Sequence, residues 1–519
     1  LAAMGSKVFY ALTRVALPPL VLSHVSLSEY GLWAASFVLV SYLGMSASGF
    51  TNVYLRQVAQ CHAKADMQGI SRLLSTGIFT MCSISALLLG CLYLELPHLL
   101  TLFGVQPAMR DLATMLWMGA AGIFMADISF AGFSNTLHAL GRIRDDQKIW
   151  LSACCLELAL IVGFLQLGWG IQGMLWAFAL RYAFSGFSAM RKVLQHLPGV
   201  RITWRHFDRA LLPAFLLRGG SFQLADMLGT ALHSFDRLIA GALLGPQATA
   251  AFDLAAKLPL TAASAPSSLN TITASIAARH DANADAQAGK TVFFDALRMN
   301  VLTLGVILPF MSAFSAHFAQ AWMGAAPAIA PLLEVLPIIC LGMHWHMLTG
   351  PASAMFRGLG RVGPDYLYHS SRIICFALSI ATWYTLSSTS LRGLAWAIAL
   401  AQTCAGILYA QWAYRQIVGS RARYVTSCIV PTLIAYGLAY ALQSAAGTPH
   451  GTDRLQALLE LAALGTIWLA LVGILAWHGL LQSTERARLS GWAQGVKNAT
   501  LCRLSLHKHY TRIVTWRRP

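Results

Sequence analysis

Apolar residues in this chain come in long stretches separated by short polar segments. A helix that crosses a bilayer needs roughly 20 mostly apolar residues, and about fourteen stretches reach or approach that length. The first six lie near 5–25, 31–55, 73–96, 110–136, 149–168 and 170–190. The next six lie near 211–239, 247–276, 297–321, 328–356, 367–387 and 392–416, and two more near 425–445 and 456–481. The pattern predicts an all-α, polytopic membrane protein. The first stretch does not read as a cleavable signal, because it is long, carries Lys7 and Arg14, and lacks a small-residue cleavage site. Frequent Gly, Ala and Ser within the stretches suit close helix packing.

Charge then orients the spans. Segments after even-numbered spans are basic, as in Arg142, Arg144 and Lys148, or Arg191, Lys192, Arg201, Arg205 and Arg209. Segments after odd spans are short and nearly free of positive charge, with Arg110, Arg392 and Arg454 as exceptions. Basic loops stay in the cytoplasm, so both termini are expected there. Composition agrees: of 519 residues, 57% are hydrophobic and only 11% charged, with a mean hydropathy of +0.59. A soluble chain carries about 25% charged residues, so a water-soluble multidomain enzyme is excluded. The net charge of +17 is mostly this topological signal and does not point to nucleic acid. Its remainder sits after Thr484, where Arg486, Arg488, Lys497, Arg503, Lys508, Arg512, Arg517 and Arg518 accompany Trp492 and Trp516. Such a tail suits anionic lipid headgroups, each cation worth about 1 kcal/mol, or a cytoplasmic or membrane partner. The ten cysteines are scattered and read as apolar packers, with no metal or disulfide spacing.

An internal repeat organises the spans. Residues 25–33 (VSLSEYGLW) and 244–252 (LGPQATAAF) each open a span, 219 residues apart. The same shift places Ala139-Leu140-Gly141-Arg142 on Gly358-Leu359-Gly360-Arg361. A shift of 220 places IQGMLWAFAL (171–180) on LRGLAWAIAL (391–400). Two six-helix lobes are therefore expected at 1–195 and 211–420, joined by a basic cytoplasmic linker at 196–210 that contains Pro198-Gly199 and could hinge. Two further helices occupy 421–483, and a basic cytoplasmic tail 484–519. An even number of spans per lobe predicts parallel repeats, with a substrate site near the midplane at their interface.

With Glu29-Tyr30-Gly31-Leu32-Trp33 entering span 2, this architecture resembles the polysaccharide flippase branch of the multidrug/oligosaccharidyl-lipid/polysaccharide (MOP) exporter superfamily, over roughly residues 5–420. The resemblance implies a V-shaped, MATE-like, alternating-access transporter in a bacterial inner membrane. Its cargo would be an undecaprenyl-pyrophosphate-linked oligosaccharide, an O-antigen or exopolysaccharide repeat unit, moved to the periplasmic leaflet. Fourteen spans can form a complete cavity in one chain, so a monomer is expected, without a cofactor, with polysaccharide-assembly proteins as candidate partners. The related lipid II flippases carry essential cations in spans 1, 2 and 8, and the positions matching by span are Arg14, Arg56 and Lys257.

Ionisable residues inside spans are costly and mark function by default. Lys7 and Arg14 lie within about 20° of one helical face, Arg14 roughly 10 Å deeper, with Tyr10 on the same side and Pro18-Pro19 bending the helix beyond. Lys7 could equally snorkel to the interface. Arg56 closes span 2 and could be a topological charge. Asp253 and Lys257 stand one turn apart and can neutralise each other. A pyrophosphate head group suits guanidinium forks and ammonium point charges. A drug–cation exporter would place a carboxylate in span 1, where only Lys7 and Arg14 occur. In span 7, Asp226, His233 and Arg237 fall within about 20° of one stripe and could couple a proton or sodium, or neutralise partners across the lobes. Asp236 and Arg218 lie to the side. Glu157 and Arg181 could pair across helices, and His344 and His346 point to opposite sides of theirs. An enzyme is disfavoured, because the outer loops carry no acid/base pair and no catalytic motif occurs. A passive scramblase, a lipid II-type flippase and a cation-coupled drug exporter are the remaining readings. Arg14→Ala is expected to impair transport of an anionic lipid-linked cargo while leaving membrane insertion intact, read by a leaflet-accessibility assay beside a membrane-fractionation blot.

Overall fold

The computed structural model describes residues 13–47, 50–217, 220–262, 286–324, 329–386, 390–418, 425–449 and 453–477, with scattered positions between 266 and 278 and Arg486. Lys7, Tyr10 and most of the basic tail lie outside the described residues. The first lobe holds α1 (Thr13–Leu22), α2 (Leu27–Gly44), α3 (Phe50–Ala63), α4 (Met67–Leu102), α5 (Arg110–Ala139), α6 (Ile143–Gln166) and α7 (Gly170–His196). The second begins with α8 (Leu212–Leu217), α9 (Gly220–His233), α10 (Phe235–Leu244) and α11 (Pro246–Ala262). It continues through α12 (Ala286–Ala313), α13 (Ser315–Met323), α14 (Ile329–Leu348), α15 (Gly350–Gly358), α16 (Gly363–Leu386) and α17 (Leu391–Val418). Then come α18 (Val430–Ala446) and α19 (Arg454–Leu475). Among the described residues eight helices are long and apolar enough to cross a membrane. Each of the fourteen apolar stretches is helical over most of its described length. The chain is a multi-pass, all-helical membrane protein.

Two compact units divide the chain at Leu461, and the described residues of the second continue α19 to Leu475. Within the first unit, one hydrophobic cluster mixes both lobes, including Leu32, Trp33 and Trp117 with Ala250, Phe252 and Leu336. Two further clusters form apart from it, one of them joining Phe215 of α8 to first-lobe residues. One gathers Phe50, Tyr54, Leu74, Phe133 and Phe215, the other Phe293, Leu304, Trp345, Tyr409 and Tyr414. The lobes thus share a core around α2 and α11 and meet again where Phe215 packs on Phe50 and Tyr54 and where Tyr42 Oη donates to the Ala231 carbonyl.

The repeat is visible as paired contacts 219 residues apart. Gln247 donates from Nε2 to Ser28 Oγ at 3.1 Å, and 28 + 219 = 247. A residue bonded to its own repeat counterpart must lie beside the pseudo-twofold axis. Ser134 donates to Asp146, whose other oxygen meets His138 Nε2 at 2.8 Å. At the same shift Ser353 donates to Asp365, and Arg357 Nε donates to the other oxygen at 2.5 Å. Between clamp members the chain turns through Gly141 (φ 71°) and Gly360 (φ 70°), left-handed positions that close the helix with Arg142 N–H to Leu137 O and Arg361 N–H to Phe356 O, both 2.8 Å. The matching Leu-Gly-Arg signatures are therefore helix stops, each followed by an aspartate that ties the next helix back.

The linker expected to hinge is strapped to α4. Its backbone N–H groups at Arg201, Thr203 and Asp208 donate to Ser71 Oγ, Ser75 Oγ and Thr76 Oγ1 at 3.0, 3.2 and 2.9 Å. Ser71 and Ser75 stand one turn apart on α4, and Thr76 follows directly, so one side of the helix supplies all three acceptors.

Each residue of the Glu29–Trp33 motif has a place. Ser26 and Glu29 form a reciprocal cap on α2, with Ser26 N–H to Glu29 Oε2 at 2.7 Å and Glu29 N–H to Ser26 Oγ at 3.2 Å. Leu32 O accepts from Trp117 Nε1 at 3.0 Å, and Trp33 packs edge-on against Phe37 and Phe178. Gly31 sits so close to the Pro246 carbonyl that a Cβ would collide with it. Small residues line this crossing, Ala34 and Ala35 against Ala250, Ala251 and Ala255, all buried. Gly31→Ala is expected to lower the melting temperature of detergent-solubilised protein through overpacking worth about 1–3 kcal/mol; an unchanged melt would mean the helices can separate freely there.

Candidate functional site

A cavity of about 640 Å³ opens inside the second lobe. Its wall draws Leu232, His233, Asp236 and Arg237 from α9 and α10, and Met343, His346 and Met347 from α14. Ser353 and Arg357 come from α15, and Tyr368, His369 and Arg372 from α16. Asn270, Asn300, Gln402 and Thr349 add neutral polar groups. Among the described residues the one carboxylate on this wall is Asp236, beside three guanidiniums and three imidazoles. His344 is fully buried with its Nε2 3.4 Å from Thr432 Oγ1, whereas His346 is on the wall, as their two-residue spacing requires.

Other carboxylates stand behind the arginines. Arg237 Nη1 donates to Asp253 Oδ1 at 3.2 Å, and Lys257 Nζ donates to Asp253 Oδ2 at 2.5 Å. Tyr30 Oη, from the first lobe, donates to the same Oδ2 at 2.9 Å. Arg357 bridges Asp365 (2.5 Å) and Asp226 (2.8 Å). Arg372 differs. It is buried, its Nη2 donates only to the Leu232 carbonyl at 3.2 Å, and among the described residues no carboxylate pairs with it. Counted together, Arg237, Lys257, Arg357 and Arg372 are balanced by Asp226, Asp236, Asp253 and Asp365. The cavity wall is donor-rich because most of these acids face away from it.

The expected stripe of Asp226, His233 and Arg237 is not continuous. Ser234 interrupts the helix between α9 and α10. Asp226 turns to Arg357, Arg237 to Asp253, and His233 lies on the cavity wall. The expected Asp253–Lys257 pair forms, but Asp253 also binds Arg237 and Tyr30. In the first lobe Glu157 is buried between Arg14 and Arg181, 3.3 Å from each. Arg56 is exposed on α3, away from this cavity. The cavity lies within the second lobe and not at the interface expected for the substrate. Arg372 and His369 went unread in the sequence, although an arginine deep in span 11 is itself the signal. Among the described residues no group of three or more His, Cys, Asp and Glu is placed to hold a metal.

Two helical repeats, long apolar helices and a polar cavity inside one lobe define a transporter-like membrane fold. No protein-family model matches the chain, and no curated protein matches it. Solved structures do. A multidrug resistance MATE family transporter of the MOP superfamily, in its inward-facing conformation, aligns with a TM-score of 0.64 at 16% identity, over 80% of this chain and 95% of that one. The lipid II flippase MurJ, in an inward closed conformation, aligns with a TM-score of 0.66 at 14% identity, over 93% of this chain and 99% of that one. A MATE in complex with MaL6 aligns with a TM-score of 0.53 at 17% identity, over 81% and 95%. The chain therefore has the fold shared by MATE transporters and the MurJ flippase.

Asp253 is 6% exposed and holds two cations and a phenol. Asp253→Ala leaves Lys257 without its carboxylate and Arg237 with Asp236 alone, and is expected to cost about 3–5 kcal/mol, seen as a large fall in detergent melting temperature, whereas Tyr30→Phe, removing one hydrogen bond, costs about 1 kcal/mol.

Proposed function

We propose that this chain is a flippase that carries an undecaprenyl-pyrophosphate-linked oligosaccharide from the cytoplasmic to the periplasmic leaflet of a bacterial inner membrane. It does so as a monomer, by alternating access and without chemistry on the cargo. The observation that carries the reading is the donor-rich wall of the second-lobe cavity. Three guanidiniums and three imidazoles face it against one carboxylate. In a low-dielectric site such donors suit phosphate oxygens, while the amides and hydroxyls of Asn270, Asn300, Gln402, Thr349 and Ser353 suit sugar hydroxyls.

A cation-coupled drug exporter is the competing reading, favoured by the MATE likeness. A cationic drug or coupling cation needs an available carboxylate. Asp253 and Glu157 each already hold two cations, which favours the flippase.

Reconstitution of the full chain into liposomes containing a lipid-linked oligosaccharide tests the proposal. Leaflet-specific labelling is expected to show cargo crossing that protein-free vesicles lack. Absence of crossing, together with drug export driven by a cation gradient, would replace this reading with the exporter.

A further inference from the structure

Arg372 is the cation of this cavity that the protein leaves unanswered. It is 3% exposed, on a helix that the fold places in a membrane. Its Nε has no hydrogen-bond partner, and no carboxylate among the described residues lies within ion-pair distance. It stands near the faces of Tyr368 and Phe376, 5.7 Å from each ring centroid. Those contacts soften burial of a guanidinium but accept no hydrogen bond from Nε. One turn away on the same face of α16, His369 is also buried, and its Nδ1 is unpartnered. Across the cavity, His346 Nδ1 is bonded to Tyr368 Oη. In the tautomer where the phenol donates to Nδ1, the imidazole carries its proton on Nε2 and offers a further donor.

Arg237 and Arg357 also face the cavity, but each is held by two carboxylates in the protein. An isolated buried charge is strongly unfavourable unless something pairs with it, and unpartnered buried donors have a cost of their own. Arg372 and His369 combine both conditions on the wall of one open cavity. The hydrogen bond from Nη2 to the Leu232 carbonyl ties α16 to the end of α9 but leaves Nε and the charge itself unanswered among the described residues.

We infer that Arg372, with His369 and His346, forms an oxyanion site inside the second lobe, taking a phosphate-class group. The fork of a guanidinium matches two phosphate oxygens, and imidazole N–H groups supply donors to a third. The inference deepens the flippase reading, since the phosphate could belong to the cargo's head group. Free phosphate or pyrophosphate offers the same chemistry. The site differs from the first-lobe cations anticipated from the sequence, because Arg14 is already bonded to Glu157.

The test is a melting and titration series on the full chain in detergent. Inorganic pyrophosphate is expected to raise the melting temperature of the wild type and to bind it measurably by calorimetry. Arg372→Met should weaken that binding about 10- to 100-fold, with Arg372→Lys intermediate. In anion-free buffer Arg372→Met should melt no lower than wild type, because it removes an unpaired buried charge. A purely structural arginine predicts the reverse, a lower melt with pyrophosphate affinity unchanged. Arg392→Gln, exposed at the start of α17, serves as the charge control and should bind pyrophosphate like the wild type.

A prenyl pyrophosphate and the corresponding prenyl alcohol form the second arm. Tighter binding of the prenyl pyrophosphate than of inorganic pyrophosphate assigns the site to a lipid head group, and equal binding assigns it to free phosphate; either supports the site. No pyrophosphate effect on the wild type, or equal affinity in Arg372→Met, overturns it. Lipid crossing without pyrophosphate binding would sink the site and leave the flippase reading standing. Binding through Arg372 without crossing would do the opposite.

Discussion

In a bilayer, apolar surface meets apolar surface on both sides of every helix contact, so hydrophobic burial does little to choose a partner. Close approach of small residues and bonds between polar groups must choose instead. In this chain both devices meet where α2 crosses α11. Gly31, Ala34 and Ala35 let the helices close against Pro246, Ala250 and Ala251. At that crossing Tyr30 of one lobe reaches the Asp253 carboxylate of the other. The same carboxylate holds Lys257 and Arg237, and Arg237 is part of the cavity wall. The lobe junction and the cavity thus share one anion. A rearrangement that withdrew Tyr30 would change the environment of a cation facing the cavity.

The frame is symmetric and the chemistry is not. Paired clamps on Asp146 and Asp365, paired glycine stops at Gly141 and Gly360, and the self-paired Ser28 and Gln247 all obey one shift of 219 residues. These are backbone-locking features, and both lobes need them for the same reason. Within that frame the first lobe buries Glu157 between two arginines, a closed arrangement. The second lobe turns its acids outward from a cavity and keeps Arg372 without one. His138 and Arg357 occupy equivalent clamp positions, yet only Arg357 reaches onward to a second aspartate, Asp226.

Much of the frame was legible in the sequence because its signals are local. Twenty-residue apolar stretches, basic loops and the Leu-Gly-Arg stops depend on neighbours a few positions apart. The pairing of Asp253 with Lys257 was legible for the same reason, since i and i+4 are one turn apart. The stripe of Asp226, His233 and Arg237 failed because a single residue, Ser234, interrupts the helical phase on which the stripe was drawn. The linker's attachment to α4 was invisible, because donor and acceptor are about 130 residues apart.

Sequence by itself determined that this is a polytopic helical membrane protein, since bilayer thickness constrains composition directly. Only tertiary structure decided which charges are answered. Tyr30 and Asp253 stand 223 residues apart, Arg14 and Glu157 stand 143 apart, and no local pattern distinguishes a cation with a distant partner from one without. Arg14 and Arg372 look alike in sequence, as arginines inside apolar spans. Burial against Glu157 closes the first, and the absence of any such acid beside α16, among the described residues, leaves the second open to a ligand.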